Sequence, residues 1–428
     1  MTANISRAPR ATRGLFPGWH VVAALFVVGF MLYGAGLWSF ILFVPPLAKE
    51  FHWSSAGTGG LVSAFYLSAP LSLWAAPIIR RFGEKRLIIA GILIEAISLM
   101  MLLLASTLWQ MYLLRALAGL GKVVFAITLP VILTKWFSRH FGLAAAIMYS
   151  GWHVGGLGLA SLTQYLLSSF GWRETSIALG VAQIVIALPV TLWGLRRSSA
   201  AEMGLGLDGD AVADAGDCGP EAASEPATPP PGYGTLLREL FRLRSFQLLF
   251  IATPVYYLTY GGVLLQQAAV VQGSGATAYA ASLVVGTTAG CAALGSVVGG
   301  WMLDRYRLTS SACVTFGLLA AGDLCLLAAT HNPSAGILMA HGVIYGLGIG
   351  SGDIFWITLM KRRVPDRLFS SAWGIWYFLQ LGFLILAPAC SGAIFDYTGS
   401  YSWMVSIETV IIAIPLSLAL WLVRRRPV

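Results

Sequence analysis

The sequence predicts an all-α membrane protein with twelve transmembrane helices, arranged as two pseudo-symmetric six-helix bundles. Hydrophobic residues make up 57% of the chain and charged residues only 11%, whereas about 25% of residues are charged in soluble domains. Apolar blocks of about 20 residues, which suffice to cross about 30 Å of hydrocarbon, recur between short polar connectors. Six such blocks lie on each side of one long polar segment.

The spans that we predict, with ends placed to within several residues, are 18–44, 56–79, 87–106, 109–133, 142–168, 174–195, 246–272, 277–302, 310–330, 335–358, 369–395 and 402–423. They divide the chain into an N-terminal tail, a first bundle, a linker, a second bundle and a C-terminal tail, with boundaries at 1–17, 18–196, 197–245, 246–423 and 424–428.

The formal charge of +9 is explained by topology rather than by nucleic-acid binding. Most of the Lys and Arg residues lie in alternate connectors, and the opposite connectors hold only Lys49 and Arg173. The positive-inside rule therefore places both termini and the linker in the cytoplasm. We expect a multi-pass protein of the plasma (inner) membrane, with the lipid bilayer and a small solute as partners and no nucleic acid.

The linker has two parts of different composition. Its first part is acidic with no basic residue between 202 and 225, and it continues through four prolines between 226 and 231. Such a segment cannot bury enough apolar surface to fold, so we predict a disordered linker. Residues 233–246 instead combine an apolar stripe with basic residues, which predicts an amphipathic helix on the cytoplasmic surface.

The two halves resemble each other in sequence. A basic segment ends the second span at Arg80–Arg86 and the eighth span at Asp304–Arg307, and Gly-Leu-Gly occurs in spans four and ten at 119–121 and 346–348. Duplicated six-helix halves are the plan of many secondary carriers, in which the solute site lies at the midplane between the halves.

Several motifs resemble the major facilitator superfamily over nearly the whole chain. Gly300-x-x-x-Asp304-Arg305 resembles its loop signature, with a degenerate first copy that has Arg80 at the usual aspartate position. Arg115-x-x-x-Gly119-x-Gly121 resembles its fourth-span signature. The resemblance implies a transporter fold and a gating part for Asp304 and Arg305, and we predict a monomer without a cofactor.

Two further stretches resemble the monocarboxylate porter and oxalate–formate antiporter group of that superfamily. They run from Lys135-Trp-Phe to Ile147 and from Pro45-Pro to Ser54. Carboxylate carriers of this group generally hold a basic residue in span eight, or a lysine in span one or eleven. Here those spans contain no Lys or Arg, so an anionic cargo would need its counter-charge from elsewhere.

Ionisable residues inside the spans are functional candidates because a charge there costs at least about 2.5–3.5 kcal/mol. Arg115 and Lys122 are seven residues apart and share one face of span four. We predict that Lys122 meets an anionic group of the cargo and that Arg115 pairs with an acid as the halves move. The alternative for Arg115 is a structural hub that donates to nearby carbonyls.

Three acidic residues are candidates for proton coupling or gating. Glu95 in span three and Asp323 in span nine hold near-equivalent positions in the two halves, and Asp353 lies in span ten. Each could carry a proton, or could form a static ion pair or a helix-packing contact.

Polar and aromatic residues in the middle of the spans predict the walls of a cavity. His153 of span five could donate to a carboxylate, or form an ordinary interhelical hydrogen bond. A cavity with aromatic walls and few polar anchors suits a small organic solute. The remaining substrate-binding candidates are Tyr33, Tyr257, Tyr260, Gln266, Trp376 and Gln380.

The leading interpretation is a secondary active transporter of a small organic anion, a monocarboxylate first, that works by alternating access with proton symport or anion exchange. The alternative is a carrier of a bulkier amphipathic metabolite or drug-like compound, and a transporter-like sensor is a remote third. The sequence lacks a phosphate-binding loop, an HExxH motif and metal-ligand spacing. We therefore predict no catalytic residues, no metal site and no enzyme.

Overall fold

The computed structural model describes residues 16–52, 61, 64–197, 199–210 and 233–424. Within these ranges, nine helices are long and apolar enough to cross a membrane by length and composition. The chain is therefore an integral, multi-pass, all-α membrane protein, as the length of its apolar blocks predicts.

The first half contains six principal helices separated by short turns. They are α1 (Gly18–Tyr33), α2 (Ala75–Phe82), α3 (Glu84–Met101), α4 (Leu108–Thr134), α5 (Phe141–Phe170) and α6 (Trp172–Gly194). The chain enters α2 through a 3₁₀ turn at Ala69–Trp74. Residues 53–60, where the predicted second span begins, lie outside the described residues.

The second half repeats the series. Its helices are α7 (Arg244–Gly273), α8 (Ala278–Arg305), α9 (Leu308–His331), α10 (Ala335–Arg363), α11 (Asp366–Thr398) and α12 (Tyr401–Ile411), the last continued by Ala413–Arg424.

Equivalent helices form equivalent contacts in the two halves. In the first half α3 packs on α4 and α6, and α1 packs on α5; in the second half α9 packs on α10 and α12, and α7 packs on α11. Between the halves, α5 lies along α8, and α2 lies along α11. The two bundles are thus repeats of one packing plan that meet along two helix pairs.

Local sequence signals explain where several helices begin. Thr107 accepts a hydrogen bond from the Gln110 backbone N–H, and the Gln110 side chain accepts one from Thr107 N–H, so α4 begins with a capping box. Gly83 separates α2 from α3 with a φ of +75°, a conformation that glycine adopts without a Cβ clash.

The first span departs from a regular α-helix. After Tyr33 it passes through a π-helical turn at Gly34–Trp38 and resumes at Ser39–Ile41. A π turn changes which backbone carbonyls are paired within the helix, and such turns are frequent at functional sites. This turn lies beside the buried charges described below.

Part of the predicted disordered linker is ordered in the structure. Asp208 accepts hydrogen bonds from the backbone N–H groups of Ser138, Arg139 and His140, just before α5. Partial burial acts to raise the pKa of Asp208, but the three N–H donors outweigh it and hold that pKa below its ordinary value. Residues 199–210 therefore form a strap across the connector between α4 and α5, whereas 211–232 lie outside the described residues.

The end of the linker forms a helix at Tyr233–Arg242, in agreement with the amphipathic pattern. Leu236 and Leu240 on its apolar stripe are buried by the protein itself. Glu239 forms an ion pair with Arg367 at the start of α11. The helix is thus packed on the second half.

Close helix contacts depend on individual glycines, and Gly350 of α10 offers a test. A Cβ there would lie 1.9 Å from the carbonyl oxygen of Ala292 on α8. We predict that Gly350→Ala lowers the free energy of unfolding by about 1–3 kcal/mol because the backbones must separate. Thermal unfolding of purified protein in detergent measures this.

The matched control is Gly317→Ala on α9, where an added Cβ would meet nothing within 4 Å. Alanine favours a helix over glycine by up to about 1 kcal/mol, so this control should be neutral or stabilising. Equal destabilisation by both substitutions would contradict the packing argument.

Candidate functional site

Lys122 lies in the middle of α4 with only 3% of its surface exposed. Its Nζ is 4.6 Å from the ring centroid of Tyr66, 5.0 Å from that of Tyr33 and 5.2 Å from that of Phe65. Lys122 is absent from the ion pairs of the described residues. The ammonium group is thus held by the faces of aromatic rings, which attract a cation without neutralising it.

Arg115 lies seven residues before Lys122 on α4, about two helical turns away, and has a different environment. Its Nη1 donates to the carbonyl of Gly36 at 2.8 Å and its Nε to that of Leu61 at 3.4 Å. The guanidinium also lies 3.6 Å from the ring centroid of Phe40. These contacts match the alternative that the sequence left open, in which Arg115 is a hub that joins the first two spans to α4.

Glu95 of α3 is the nearest acidic group to both cations. It is fully buried, and Arg115 and Lys122 both act on it electrostatically. Neither of its carboxyl oxygens has a hydrogen-bond partner among the described residues. A Cβ on Gly36 would lie 1.7 Å from Glu95 Oε1, so the Glu95 carboxyl lies directly against the π turn and would have to move to admit a larger residue.

Aromatic side chains connect the two halves in front of Lys122. The Tyr33 hydroxyl lies 3.1 Å from that of Tyr377 on α11, across the interface between halves. The Tyr33 ring stacks on Trp152 of α5 with a centroid distance of 3.9 Å. Trp373 of α11 donates its indole N–H to the carbonyl of Ala126 on α4. The predicted aromatic wall therefore includes contacts between the halves.

Asp353 and Tyr257 form the corresponding polar group of the second half. The Tyr257 hydroxyl donates to Asp353 Oδ1 at 3.0 Å, and the Tyr257 ring packs on Trp376 at 5.6 Å. Tyr260 is buried beside Tyr257. Asp353 keeps part of its surface accessible, unlike Glu95 and Asp323. An accessible carboxyl inside the bundle can exchange a proton with a water-filled chamber.

The other predicted polar residues are partly buried. His153 on α5 and Gln380 on α11 keep some accessible surface, and neither forms a hydrogen bond within the described part of the chain. Gln266 on α7 is partly buried and does have an interaction partner.

Asp323 lies apart from the residues around Lys122. It is buried within the second half on α9, where Glu408 of α12 acts on it electrostatically. Glu95 and Asp323 lie on the equivalent helices α3 and α9, but Arg115 and Lys122 act on Glu95 whereas the acid Glu408 acts on Asp323.

Asp304 closes one end of the interface between the halves. Its two carboxyl oxygens accept hydrogen bonds from the backbone N–H groups of Gly142, at 3.0 Å, and Leu143, at 2.7 Å. These N–H groups belong to the first turn of α5, whose dipole favours a negative charge. Arg305, next in the chain, is exposed, with its guanidinium 5.8 Å from the Trp301 ring centroid.

At the opposite end of the first half, Glu50 joins the segment after the first span to α6. Its Oε2 accepts the indole N–H of Trp172 at 2.6 Å, and its Oε1 pairs with Arg173 at 2.7 Å. The Trp172 hydrogen bond and the Arg173 charge lower the pKa of Glu50 below its ordinary value. These contacts fasten the segment after the first span to the start of α6.

Sequence reasoning missed two groups that the structure brings into prominence. Tyr66 and Phe65 surround Lys122, but aromatic residues are too common in spans for their sequence positions to reveal this. Glu408 is the one acidic residue in the last predicted span, 402–423. The rule that singled out Glu95 applies to it equally, so this signal was present in the sequence.

Comparisons with known proteins agree with this architecture. The family model described as Major Facilitator Superfamily matches residues 26–270 and 249–428. Mouse monocarboxylate transporter 11 is 30% identical over 402 residues, covering 90% of this chain and 83% of its own. Human monocarboxylate transporter 2 is 24% identical over 92% of this chain and 83% of its own.

Two further matches differ in cargo and in similarity. The gentisate transporter of Corynebacterium glutamicum is 27% identical over 81% of this chain and 74% of its own. The crystal structure of the E. coli fucose:proton symporter superposes with a TM-score of 0.69 at 16% identity, covering 94% of this chain and 98% of that one. The latter likeness concerns the fold alone.

The hydrogen bonds of Asp304 to α5 are expected to keep this end of the interface between the halves closed. We predict that Asp304→Asn opens this end, because an amide loses the charge that the α5 dipole attracts. Ala146 lies against Gly300 at the same interface, so a Cys at position 146 reports on its opening. Asp304→Asn should raise the rate at which maleimide labels this Cys several-fold. Arg307→Ala on the same exposed loop is the control and should leave labelling unchanged. Unchanged labelling in Asp304→Asn would show that the contact does not hold the halves together.

Proposed function

Because the chain belongs to the major facilitator superfamily, we propose that it carries a small organic anion across the membrane by alternating access of its two halves. A monocarboxylate is the leading cargo. The names of its monocarboxylate-transporter relatives support this class of solute.

The observation that carries the proposal is the buried cation at Lys122. Charges inside a bundle are expensive and are normally neutralised. Lys122 is surrounded by Tyr66, Tyr33 and Phe65 and has no ion-pair partner within the described part of the chain. A carboxylate entering between the rings would form a charge-assisted hydrogen bond with Nζ. This lysine supplies the counter-charge that spans one, eight and eleven lack.

The contacts between the halves explain how cargo could be linked to conformational change. Tyr33–Tyr377 and Trp373–Ala126 join the halves in front of Lys122, and Asp304 joins them at one end. Alternating access requires such contacts to exchange as one half rocks against the other. An anion at Lys122 lies beside Tyr33 and can therefore favour one arrangement over the other.

Proton symport is the favoured source of energy, with anion exchange as the other mode. Asp353 is the acidic residue that combines a central position, accessible surface and a hydroxyl partner at Tyr257. The second half has no Lys or Arg in residues 246–304, 308–360 or 368–423. Asp353 therefore has no basic partner of its own half and is suited to neutralisation by a proton.

A bulkier amphipathic or aromatic acid is the second candidate cargo. The specific observation in its favour is the ring-lined environment, in which Tyr33 stacks on Trp152 and Tyr257 packs on Trp376. Rings of this kind bind an apolar or aromatic body while Lys122 binds its carboxylate. The gentisate transporter among the relatives supports including aromatic acids in any test.

The proposal includes a topology. Both termini and the linker lie in the cytoplasm of a cell whose plasma (inner) membrane holds the protein as a monomer. The basic connectors support this orientation, because Lys and Arg concentrate on the cytoplasmic side. In that orientation Asp304 closes the cytoplasmic end.

Uptake into proteoliposomes tests the proposal. Labelled lactate, pyruvate and gentisate are offered with and without an inward proton gradient, and saturable uptake above empty liposomes is expected for at least one acid. For that acid we predict that Lys122→Ala raises KM about ten- to a hundred-fold, the value of one charge-assisted hydrogen bond.

Lys85→Ala is the matched lysine control, since Lys85 begins α3 outside the ring-lined region. It should leave KM unchanged. A wild-type KM in Lys122→Ala would show that Lys122 is not part of the binding site. If the folded protein shows neither uptake nor counterflow of any of these acids, an organic-acid cargo is refuted.

Asp353→Asn tests the coupling of transport to protons separately from the binding of cargo. We predict that this variant loses stimulation of net uptake by an inward proton gradient but retains exchange of labelled for unlabelled cargo, because exchange needs no net proton movement. Asp366→Asn, an exposed acid at the start of α11, is the control. A proton-gradient response equal to wild type in Asp353→Asn would exclude Asp353 as the coupling residue.

A further inference from the structure

A second pair of acidic residues lies within the second half. Asp323 on α9 is 1% exposed and Glu408 on α12 is 4% exposed. Glu408 acts electrostatically on Asp323, and both act on the neighbouring Tyr345 of α10. Both carboxyls are thus buried where α9 packs on α10 and on α12.

The polar atoms of this pair are incompletely satisfied. Glu408 Oε1 accepts a hydrogen bond from the Ser391 hydroxyl of α11. Glu408 Oε2 and Asp323 Oδ1 are buried and have no partner among the residues that the structure describes. The amide oxygen of Gln267 on α7, itself fully buried, also has none. Unpaired buried oxygens of this kind are costly unless something else binds to them.

No basic residue is available to neutralise the pair. The spans of the second half contain neither Lys nor Arg. His341 on α10 is the nearest imidazole: its Nδ1 lies 2.7 Å from the carbonyl of Gly322, and its Nε2 lies 2.6 Å from the Gln267 amide nitrogen. A neutral ring that donates from Nδ1 and accepts at Nε2 satisfies both contacts.

Two adjacent carboxylates without a cation cannot both stay ionised in such a place, because each is desolvated and each repels the other. We propose that Asp323 and Glu408 together bind a proton, at a site separate from Asp353 and from the cargo. This assignment concerns the pair itself and does not depend on which solute is carried. Any part in coupling transport to protons rests on the proposed function.

The geometry favours a proton over a metal cation. A Cβ on Gly262 of α7 would lie 2.0 Å from Glu408 Oε1 and 2.3 Å from the Ser391 hydroxyl oxygen, so these two side chains fill the space against α7. Sodium sites in carriers use carbonyls freed where a helix is broken. The helices α7 and α9 run without a break past this pair, and where α12 is interrupted at Ile412 the carbonyl of Glu408 still accepts the Ile412 N–H at 3.1 Å.

Tyrosines of α7 and α10 lie between the pair and Asp353. The Tyr345 hydroxyl donates to the carbonyl of Tyr260 at 3.2 Å. Tyr260 packs against Tyr257, whose hydroxyl reaches Asp353. A series of tyrosine contacts therefore runs from Tyr345 to the proposed coupling residue Asp353.

Infrared spectroscopy of the purified protein in nanodiscs tests the site without any cargo. A protonated carboxyl gives a C=O stretching band that an ionised one lacks, and this band shifts in deuterium oxide. We expect the wild-type protein at neutral pH to show a band that is lost in Asp323→Asn/Glu408→Gln. Glu174→Gln, an exposed residue at the start of α6, should retain it.

Ser391→Ala provides a second variant in case the double variant does not fold. Loss of its hydroxyl should shift the same band without abolishing it, because Glu408 then has no donor. Spectra of the wild type and of folded double variant that superpose at neutral pH would refute the proposal. Loss of the wild-type band on addition of sodium chloride at constant ionic strength would identify a sodium site instead and also refute it.

The transport assay and the infrared measurement test different proposals, so their failures can be told apart. Failure of the wild type to take up any organic acid would refute the proposed function while leaving the infrared band in place. Saturable uptake without the band would refute the proton pair alone.

Discussion

The structure depends on one constraint: a polar or charged group that lies within a membrane bundle must find its partners inside the protein. Arg115 meets this constraint with carbonyls of Gly36 and Leu61. Asp304 meets it with the N–H groups that begin α5. Lys122 meets it with aromatic rings and with the nearby charge of Glu95, and it forms no ion pair within the described residues. This incomplete pairing is what suits Lys122 to the proposed anion site.

The repeated architecture makes the difference between the halves informative. In each half a glycine of the first helix lies against a buried acid, Gly36 against Glu95 and Gly262 against Glu408. Around Glu95 the first half supplies Arg115 and Lys122. Around Glu408 the second half supplies another acid, Asp323, and no Lys or Arg. The two halves thus share a packing plan and differ in charge, which supports the proposed anion site in the first half and the proposed proton site in the second.

The interface between the halves combines two kinds of contact. Tyr33–Tyr377 and Trp373–Ala126 lie near the middle, and single hydrogen bonds of this kind contribute only about 0.5–1.5 kcal/mol. Asp304 adds charge-assisted hydrogen bonds at one end, and the strap at 199–210 holds the connector that precedes α5 through Asp208. The hydrogen bonds across the interface are few, and each is comparable in size to a contact that one small solute can form.

The sequence by itself determined the elements that depend on local properties. The length and polarity of each block determine the spans, the repeated motifs determine the two halves, and the rarity of charge within spans singles out Arg115, Lys122, Glu95, Asp323 and Asp353. The tertiary structure alone decided the partners of these residues. The π turn at Gly34–Trp38, the carbonyls bound by Arg115 and the pairing of Asp323 with Glu408 depend on how helices rotate and cross. Those angles arise from side-chain packing between residues distant in sequence, which no local pattern encodes.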